Sequence, residues 1–153
     1  MAHRGRALMA TDADGCVEAY YAAFRAADIE QMMRLWGERP DIVCIHPGSP
    51  RAHRGVAEVM ESWLLVFARE LNIGIEPKIV GRHETGEIIS LVIEEAITRP
   101  GDVTPTGTIL ISQTWRWLDT GWRLLFHHAS HGRRSPPSQD GMFVPDGGGN
   151  TRH

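Results

Sequence analysis

The sequence predicts a single α+β domain in which three helices come first and a curved antiparallel sheet wraps over them. Before residue 70, three segments carry apolar residues at the spacing i, i+3, i+4, i+7, which is typical of helices with one buried face. After that point the pattern changes to the alternation of apolar and polar residues that marks strands. With 153 residues, of which 42% are hydrophobic, the chain is long enough for one core and short for two.

Each predicted helix has a start signal and one apolar face. The first helix follows Thr11 and Asp12, whose side chains can cap it. The second begins after Asp28, and Gln31 stands three residues later, as in a capping box. The third begins near Gly55. The apolar positions are Val17, Tyr20, Tyr21 and Phe24 in the first helix, Ile29, Met32, Met33 and Trp36 in the second, and Val56, Val59, Met60, Trp63, Leu64 and Phe67 in the third.

Five strands are expected, and one of them precedes the third helix. This short strand ends at His46-Pro47, because proline cannot donate a hydrogen bond to a ladder. The last two strands are joined by a tight turn at Asp119-Thr120-Gly121. The expected segments are 41–47, 72–82, 87–98 and, for the last two strands together, 107–132.

One of these strands carries a carboxylate on its apolar face. Because successive side chains point to opposite faces, Glu95 shares the inner face with Ile89 and Ile93, while Glu94 faces outward. Burial disfavours the charged form of a carboxyl group and raises its pKa. We therefore expect Glu95 to be paired with a donor such as a histidine, to be functional, or to lie near an open rim.

The last two strands also place polar residues on their inner face. Regular alternation puts Gln113 on the same side as Trp115, and it puts His128 on the same side as Leu124. An apolar face that carries a glutamine and a histidine is typical of a polar-lined pocket. The alternative is that these groups satisfy one another's hydrogen bonds inside a solid core.

Composition excludes several partners. A net charge of −3, a pI near 6.2 and scattered basic residues give no electrostatic case for nucleic acid. No apolar run approaches the roughly 18 residues that span a membrane, and the first residues lack the apolar run of a signal peptide. The two cysteines, Cys16 and Cys44, are too few for a disulfide scaffold, so we expect a cytoplasmic protein.

Motifs for metals and cofactors are missing from the sequence as well. The eight histidines show neither an HExxH motif nor paired cysteine spacing, so no metal site is expected. The glycines at 147–149 are not followed by a helical pattern, so we expect no dinucleotide-binding or phosphate-binding loop. No cofactor is expected. We expect a domain at 11–132, a flexible N-terminus at 1–10 and a flexible Gly/Pro-rich tail at 133–153.

Three segments of the sequence, together with the order of the predicted helices and strands, resemble a known family. The segments DIEQMMRLWGERPDIVCIHP, HRGVAEVMESW and GWRLLFHHAS are similar to the nuclear transport factor 2-like superfamily, in its SnoaL-like branch, and the similarity covers roughly 12–132. The resemblance implies a cone-shaped α+β barrel with a deep apolar pocket between sheet and helices. It also implies pairing of two copies sheet to sheet. Members of the superfamily perform many reactions or none, so the fold alone does not fix the chemistry.

Ketosteroid isomerase, a member of that superfamily, suggests roles for individual residues. The resemblance aligns Tyr20 with its oxyanion-hole tyrosine, His46 with its general base and Gln113 with its protonated acid. It also aligns Trp36 and Trp63 with aromatic residues of its pocket. An imidazole titrates near neutrality and can serve as a base, whereas an amide is a weaker donor than a neutral carboxyl group. We therefore do not expect steroid isomerase activity.

Two classes of function stay open. One is a binder or acid-base enzyme, of the isomerase, cyclase or dehydratase type, for a small apolar, partly oxygenated metabolite. The other is a non-catalytic ligand-binding or association module, since the resemblance extends to the association domain of calcium/calmodulin-dependent kinases. The site residues expected for the first class are His46, Tyr20 and Glu95 for catalysis and Trp36, Trp63, Gln113, Trp115 and His128 for binding.

A homodimer is expected through the outer face of the sheet. On regular alternation, Leu110 and Leu125 give that face apolar area that a partner can cover. The same alternation puts Thr114, Arg116 and His127 on it.

Overall fold

The computed structural model describes residues 12–134, and within them three helices and six strands form one layered domain. The predicted α+β class is confirmed. The expected flexible N-terminus at 1–10 lies outside the described residues, and so does the expected flexible tail at 133–153 except for its first two residues. Those two, 133 and 134, are the end of the last strand. The elements are α1 (Asp12–Ala26), α2 (Ile29–Leu35), β1 (Val43–Ile45), β2 (His53–Arg54), α3 (Gly55–Ala68), β3 (Gly74–Glu84), β4 (Ile88–Thr98), β5 (Gly107–Leu118) and β6 (Gly121–Arg134).

The helices begin where their start signals predict. The carboxylate of Asp28 accepts a hydrogen bond from the backbone N–H of Gln31 at 3.1 Å, which caps α2. At the start of α3, Gly55 has φ +76°, in the left-handed region that favours glycine, and its N–H donates to the carbonyl of Ile42. No helix among residues 12–134 is long and apolar enough to cross a membrane.

The sheet is curved and unclosed, with the strand order β2-β1-β6-β5-β4-β3. Its pairs are antiparallel except for β1 and β6, which run parallel. A parallel pair is possible here because α3 and four strands separate β1 from β6 along the chain, so the two are not joined as a hairpin. Strand β2 was not predicted, since its two residues are too few to show an alternation.

The inner face of the sheet and the three helices enclose the core. Helix α1 contributes the buried rings of Tyr20 and Tyr21, and α3 contributes Trp63. Strand β4 runs against β5 without a register shift from Ile88 to Ile97, so its alternation is regular. Its inner residues Ile89, Leu91, Ile93 and Glu95 are all buried and Glu94 is exposed, as the sequence predicts.

Strand β6 contains a bulge that reverses one prediction. Thr114 pairs with Phe126 and the next residue, Trp115, pairs with Leu124, so Leu125 is an extra residue in β6. After this bulge the faces are exchanged relative to regular alternation. The expected inward orientation of His128 is therefore wrong: His128 is exposed and His127 is buried.

The Asp28 cap can be tested by substitution. We expect Asp28→Ala to lower the free energy of unfolding by about 1 kcal/mol, because the N–H of Gln31 loses its acceptor. Urea denaturation measures the change. Glu30→Ala is the matched control, because Glu30 in the same turn makes only an exposed ion pair with Arg34 at 3.5 Å, and its effect should stay below about 0.5 kcal/mol. Equal losses in the two variants would contradict the capping role.

Candidate functional site

A cavity of about 220 Å³ lies between α1, α3 and the inner face of β4, β5 and β6. Its walls are mainly apolar, with Phe24 and Trp63 on the helix side and Ile109, Ile111 and Ala129 on the sheet side. The polar residues in its lining are Tyr20, His46, Arg69, Glu95 and His127.

A larger groove of about 570 Å³ adjoins the cavity and shares part of its apolar lining. We call it the mouth groove, defined by the residues that both spaces share: Phe24, Val66, Leu71, Ile73 and Ile75. The groove also contains the charged residues Arg25, Glu70 and Glu76. A molecule in the inner cavity can therefore extend along an apolar path toward charged side chains.

Glu95 reaches the cavity from β4 and is 7% exposed. The hydroxyl of Tyr21 donates to its Oε2 at 2.7 Å, so the donor expected from the sequence is a tyrosine and not a histidine. Burial raises the pKa of this carboxyl group, while the Tyr21 hydrogen bond and the nearby Arg25 guanidinium act in the opposite direction. Glu95 thus holds a proton more readily than an exposed glutamate does.

His46 follows β1 and is half-buried on the cavity wall. Its Nε2 lies 2.9 Å from Oγ of Ser62, and that hydroxyl donates its own hydrogen to the carbonyl of Val59 at 2.7 Å. The Ser62 oxygen then accepts from Nε2–H, while the Cys44 thiol, 3.5 Å from the same nitrogen, is the longer and weaker contact. We therefore assign the proton of neutral His46 to Nε2 and its lone pair to Nδ1. Burial, with His53 and Arg69 nearby, lowers the pKa of His46 to about 4.

Tyr20 projects from α1 and is 2% exposed. Its ring packs against those of Trp63 and His127, with centroids 6.0 Å and 5.3 Å away. Among residues 12–134 its hydroxyl has no hydrogen-bond partner, although the ring lines the cavity. Burial raises the pKa of this phenol, and Glu95 adds to the effect, so the hydroxyl keeps its proton.

His127 reaches the cavity from β6 and heads a chain of buried polar groups. Its Nδ1 lies 3.1 Å from Nε2 of Gln113, and Trp115 donates from Nε1 to the Gln113 oxygen at 3.0 Å. Burial, with His46 and His128 nearby, lowers the pKa of His127 to about 3. The imidazole is therefore neutral at pH 7.

The structure brings together four of the expected site residues: His46, Tyr20, Glu95 and Trp63 all line the cavity. Gln113 and Trp115 are buried behind His127 and do not line it. Trp36 lies elsewhere, in a bridge to Leu124 at the edge of β6.

Two important residues escaped the sequence analysis. His127 was assigned to the outer face because a bulge leaves no mark on an alternating pattern. Tyr21 was counted as core, and its apolar spacing does not reveal that its hydroxyl meets Glu95. In the described part of the chain, no three histidine, cysteine or carboxylate side chains converge as metal ligands.

The lowered pKa of His127 has a consequence for stability. In the unfolded chain a histidine binds a proton below about pH 6.5, whereas folded His127 does not do so until about pH 3. Stability is therefore lost as the pH falls below 6.5, by up to about 1.4 kcal/mol per pH unit for this residue. For His127→Gln, the free energy of unfolding plotted against pH between 6.5 and 4.5 should have a slope shallower by that amount than the slope of the unmodified protein.

His128→Gln is the control for this measurement, because its ring is on the exposed face of the same strand. It should keep the slope of the unmodified protein. The opposite contribution of Glu95, whose raised pKa stabilises the folded state toward lower pH, is common to all three proteins and cancels. Identical slopes for His127→Gln and the unmodified protein would contradict the buried, neutral imidazole.

Comparisons with known proteins identify relatives of this arrangement. A candidate calcium/calmodulin-dependent protein kinase type II association domain from Thiobacillus denitrificans is 28% identical, with a TM-score of 0.73 over 78% of this chain and 94% of that one. A candidate dehydratase of the NTF2-like family from Streptomyces avermitilis is 26% identical, with a TM-score of 0.68 over 80% and 94%. A ketosteroid isomerase-like protein from Erwinia carotovora atroseptica is 24% identical, with a TM-score of 0.62 over 81% and 98%, and shares the fold.

The family itself is established by a sequence model. Comparison with curated proteins finds none that matches the chain. The model of the SnoaL-like domain matches residues 14–133, which is most of the chain. The resemblance found in the sequence is confirmed, and the chain belongs to the SnoaL-like domain family, with the fold of NTF2-like proteins.

Proposed function

We propose that the protein binds a small, mainly apolar molecule with an oxygen function in the cavity, and that His46, Tyr20 and Glu95 carry acid-base chemistry on it. The observation that carries the proposal is the hydroxyl of Tyr20, which has no hydrogen-bond partner among residues 12–134 and belongs to a side chain that is 2% exposed and lines the cavity. Buried polar groups are nearly always hydrogen-bonded, and an unmade bond costs about 1–3 kcal/mol. A ligand oxygen would satisfy this group.

The roles follow from the protonation state of each group. Nδ1 of His46 has a free lone pair at neutral pH, so it can accept a proton from carbon next to a carbonyl group. Tyr20 can donate a hydrogen bond to the oxygen on which negative charge then develops. Glu95, with its raised pKa, can return a proton to the product. With a pKa near 4, His46 is a weaker base than an ordinary imidazole, so a carbon acid of moderate strength suits it best.

The size of the cavity limits the ligand. Its 220 Å³ is below the roughly 300–1,000 Å³ typical of sites for drug-sized molecules. The inner cavity therefore suits a molecule smaller than a fused four-ring steroid, in agreement with the replacement of the isomerase's general base and protonated acid by His46 and Gln113. The mouth groove leaves room for a longer apolar tail. The candidate dehydratase from Streptomyces avermitilis, at 26% identity, supports acid-base chemistry of this kind.

The proposal can be tested with the ligand retained by the protein. Native mass spectrometry of protein purified from its own host would identify a bound molecule, and turnover of that molecule would then be measured. We expect His46→Gln to lower kcat by about 10²-fold or more, because the base is lost. The acidic limb of the kcat/KM profile should lie near pH 4, where His46 gains a proton.

His53→Gln is the matched control for the base. His53 itself contributes to the lowered pKa of His46, so this variant should keep turnover but move the acidic limb upward, whereas His83→Gln, at an exposed position of β3 that does not line the cavity, should change neither. Full activity of His46→Gln would remove the catalytic role and leave a binding site.

We propose further that two copies associate through the outer face of the sheet. This face carries Val80, Ile88, Val92, Leu110 and Phe126, each between 41% and 47% exposed, on four neighbouring strands. An apolar area of this kind marks an interaction surface. Leu125 and His127, expected there from the sequence, are buried and contribute nothing to it. The 28% identity to a candidate association domain supports a second copy as the occupant.

Sedimentation at micromolar concentration tests the dimer. The unmodified protein should sediment at twice 17.1 kDa, and Phe126→Glu should shift it toward 17.1 kDa, because a buried unpaired charge is costly. Val103→Glu is the control, since Val103 is 97% exposed in the loop between β4 and β5. A monomer under all conditions would contradict the association.

A cytoplasmic setting is part of the same proposal. Cys16 and Cys44 are both free and buried. Burial raises the pKa of each thiol to about 12, so neither forms a reactive thiolate at neutral pH. A reducing compartment keeps thiols in this state.

A further inference from the structure

We infer that the ligand is a neutral carbonyl compound whose oxygen is held by two donors, Tyr20 and Nε2 of His127, and that Gln113 and Trp115 are positioning residues for His127. The inference rests on the proposed ligand site and names the chemical class that the site accepts. It also assigns a purpose to the chain of buried polar groups behind the cavity wall.

The chain of hydrogen bonds has only one consistent arrangement. The indole nitrogen of Trp115 is a donor and cannot accept. The atom of Gln113 that lies 3.0 Å from it must therefore be the amide oxygen. The other end of the amide is then its NH₂ group, which lies 3.1 Å from Nδ1 of His127. Since this group can only donate, Nδ1 must accept, and the proton of neutral His127 is on Nε2.

The Nε2–H group of His127 is left for the cavity. The ring is 2% exposed and lines the cavity, and Nε2 has no partner within residues 12–134. The ring of Tyr20 is stacked beside it, 5.3 Å away and inclined by 28°. Two donors with unmade bonds thus belong to adjacent rings of the cavity lining, one from α1 and one from β6, and a carbonyl oxygen has two lone pairs with which to accept from both.

Charge favours a neutral ligand over an anion. Both donors are uncharged, because burial lowers the pKa of His127 and raises that of Tyr20. Of the residues in the cavity lining, Arg69 is the one basic side chain that is always charged, and it is exposed. A carboxylate in the inner cavity would lose its hydration without a buried cation in return.

Gln113 stands where the resemblance aligns the protonated acid of an oxyanion hole, and it acts on the ligand only through His127. Gln113 does not reach the cavity, but it determines which nitrogen of His127 carries the proton. Trp115 in turn determines which way the amide of Gln113 points. The ligand oxygen would accept a hydrogen bond from the imidazole N–H of His127 in place of one from a carboxylic acid.

Nitrogen-15 NMR of the imidazole groups tests the positioning without any ligand. At pH 7 the unmodified protein should show His127 protonated on Nε2 and not on Nδ1. In Gln113→Glu the ionised side chain can only accept, so under conditions where it is ionised we expect the proton to appear on Nδ1. In Trp115→Phe the amide is free to turn, so both tautomers should be populated.

Trp122→Phe is the matched control for the tryptophan. Its Nε1 is buried with no hydrogen-bond partner in the described part of the chain, so the same substitution removes no bond and should leave His127 unchanged. This pair of variants decides the question even if Gln113→Glu does not fold. Protonation of Nδ1 in the unmodified protein, or equal behaviour of the two phenylalanine variants, would overturn the positioning role.

Three six-membered-ring compounds test the ligand class: cyclohexanone, cyclohexane and cyclohexanecarboxylate. Cyclohexanone should shift the Nε2–H resonance of His127, and Tyr20→Phe should weaken its binding about fivefold to tenfold, as expected for one hydrogen bond. Cyclohexanecarboxylate should bind more weakly. Equal binding of the three would overturn the carbonyl assignment. The His46→Gln turnover experiment is independent, so a failure of the base role would leave these results standing.

Discussion

A polar group buried on the inner face of this fold costs free energy unless it has a hydrogen-bond partner, so the fold depends on how those groups are paired. Glu95 meets this requirement through Tyr21, and His46 meets it through Ser62. The inner chain from Trp115 through Gln113 satisfies one nitrogen of His127 and leaves the other for the cavity. Tyr20 and His127 leave unmade bonds at the cavity wall, where Nε1 of Trp63 also has no partner among residues 12–134, which is the reason to regard the space as a site. The indole nitrogens of Trp36 and Trp122 are likewise unpartnered but lie away from the cavity.

The second constraint is the bulge at Leu125. One additional residue in β6 moves His127 from the outer to the inner face and moves His128 outward. Leu125 itself packs against the backbone of Gly37, where a Cβ atom would approach its Cδ2 to 3.2 Å. Gly37 also donates its N–H to the carbonyl of Leu124, so the chain after α2 is attached to the bulged part of β6. The bulge thus connects the position of α2 with the identity of the histidine in the cavity.

Much of the fold could be predicted because its signals are local. The capping of α2 by Asp28, the start of α3 at Gly55 and the inward orientation of Glu95 all follow from spacing within a few residues. What could not be predicted depends on distant pairing. The orientation of His128 required knowledge of the bulge, and the positions of Gln113 and Trp115 behind the cavity required knowledge of how deeply each strand is covered. Trp36 follows the apolar spacing of α2, yet it packs at the strand edge, because the chain leaves the helix there to form a bridge with β6.

Burial acts on all the ionisable groups of the cavity in the same sense. It lowers the pKa of His46 and His127 and raises that of Glu95 and Tyr20, so each group is driven toward its uncharged form. A cavity without fixed charge in its depth gives little stabilisation to an ion that enters, but it strengthens each hydrogen bond made inside it. Catalysis in such a place would depend on charge that appears only during the reaction, on an oxygen next to Tyr20 and His127 and on the imidazole of His46. The donors Tyr20 and His127, held in place before the ligand arrives, would stabilise negative charge on the ligand oxygen more than they stabilise the bound ground state. The burial that lowers the pKa of His46 acts in the opposite direction, because it disfavours the imidazolium, so the oxygen-side donors would have to supply most of the stabilisation.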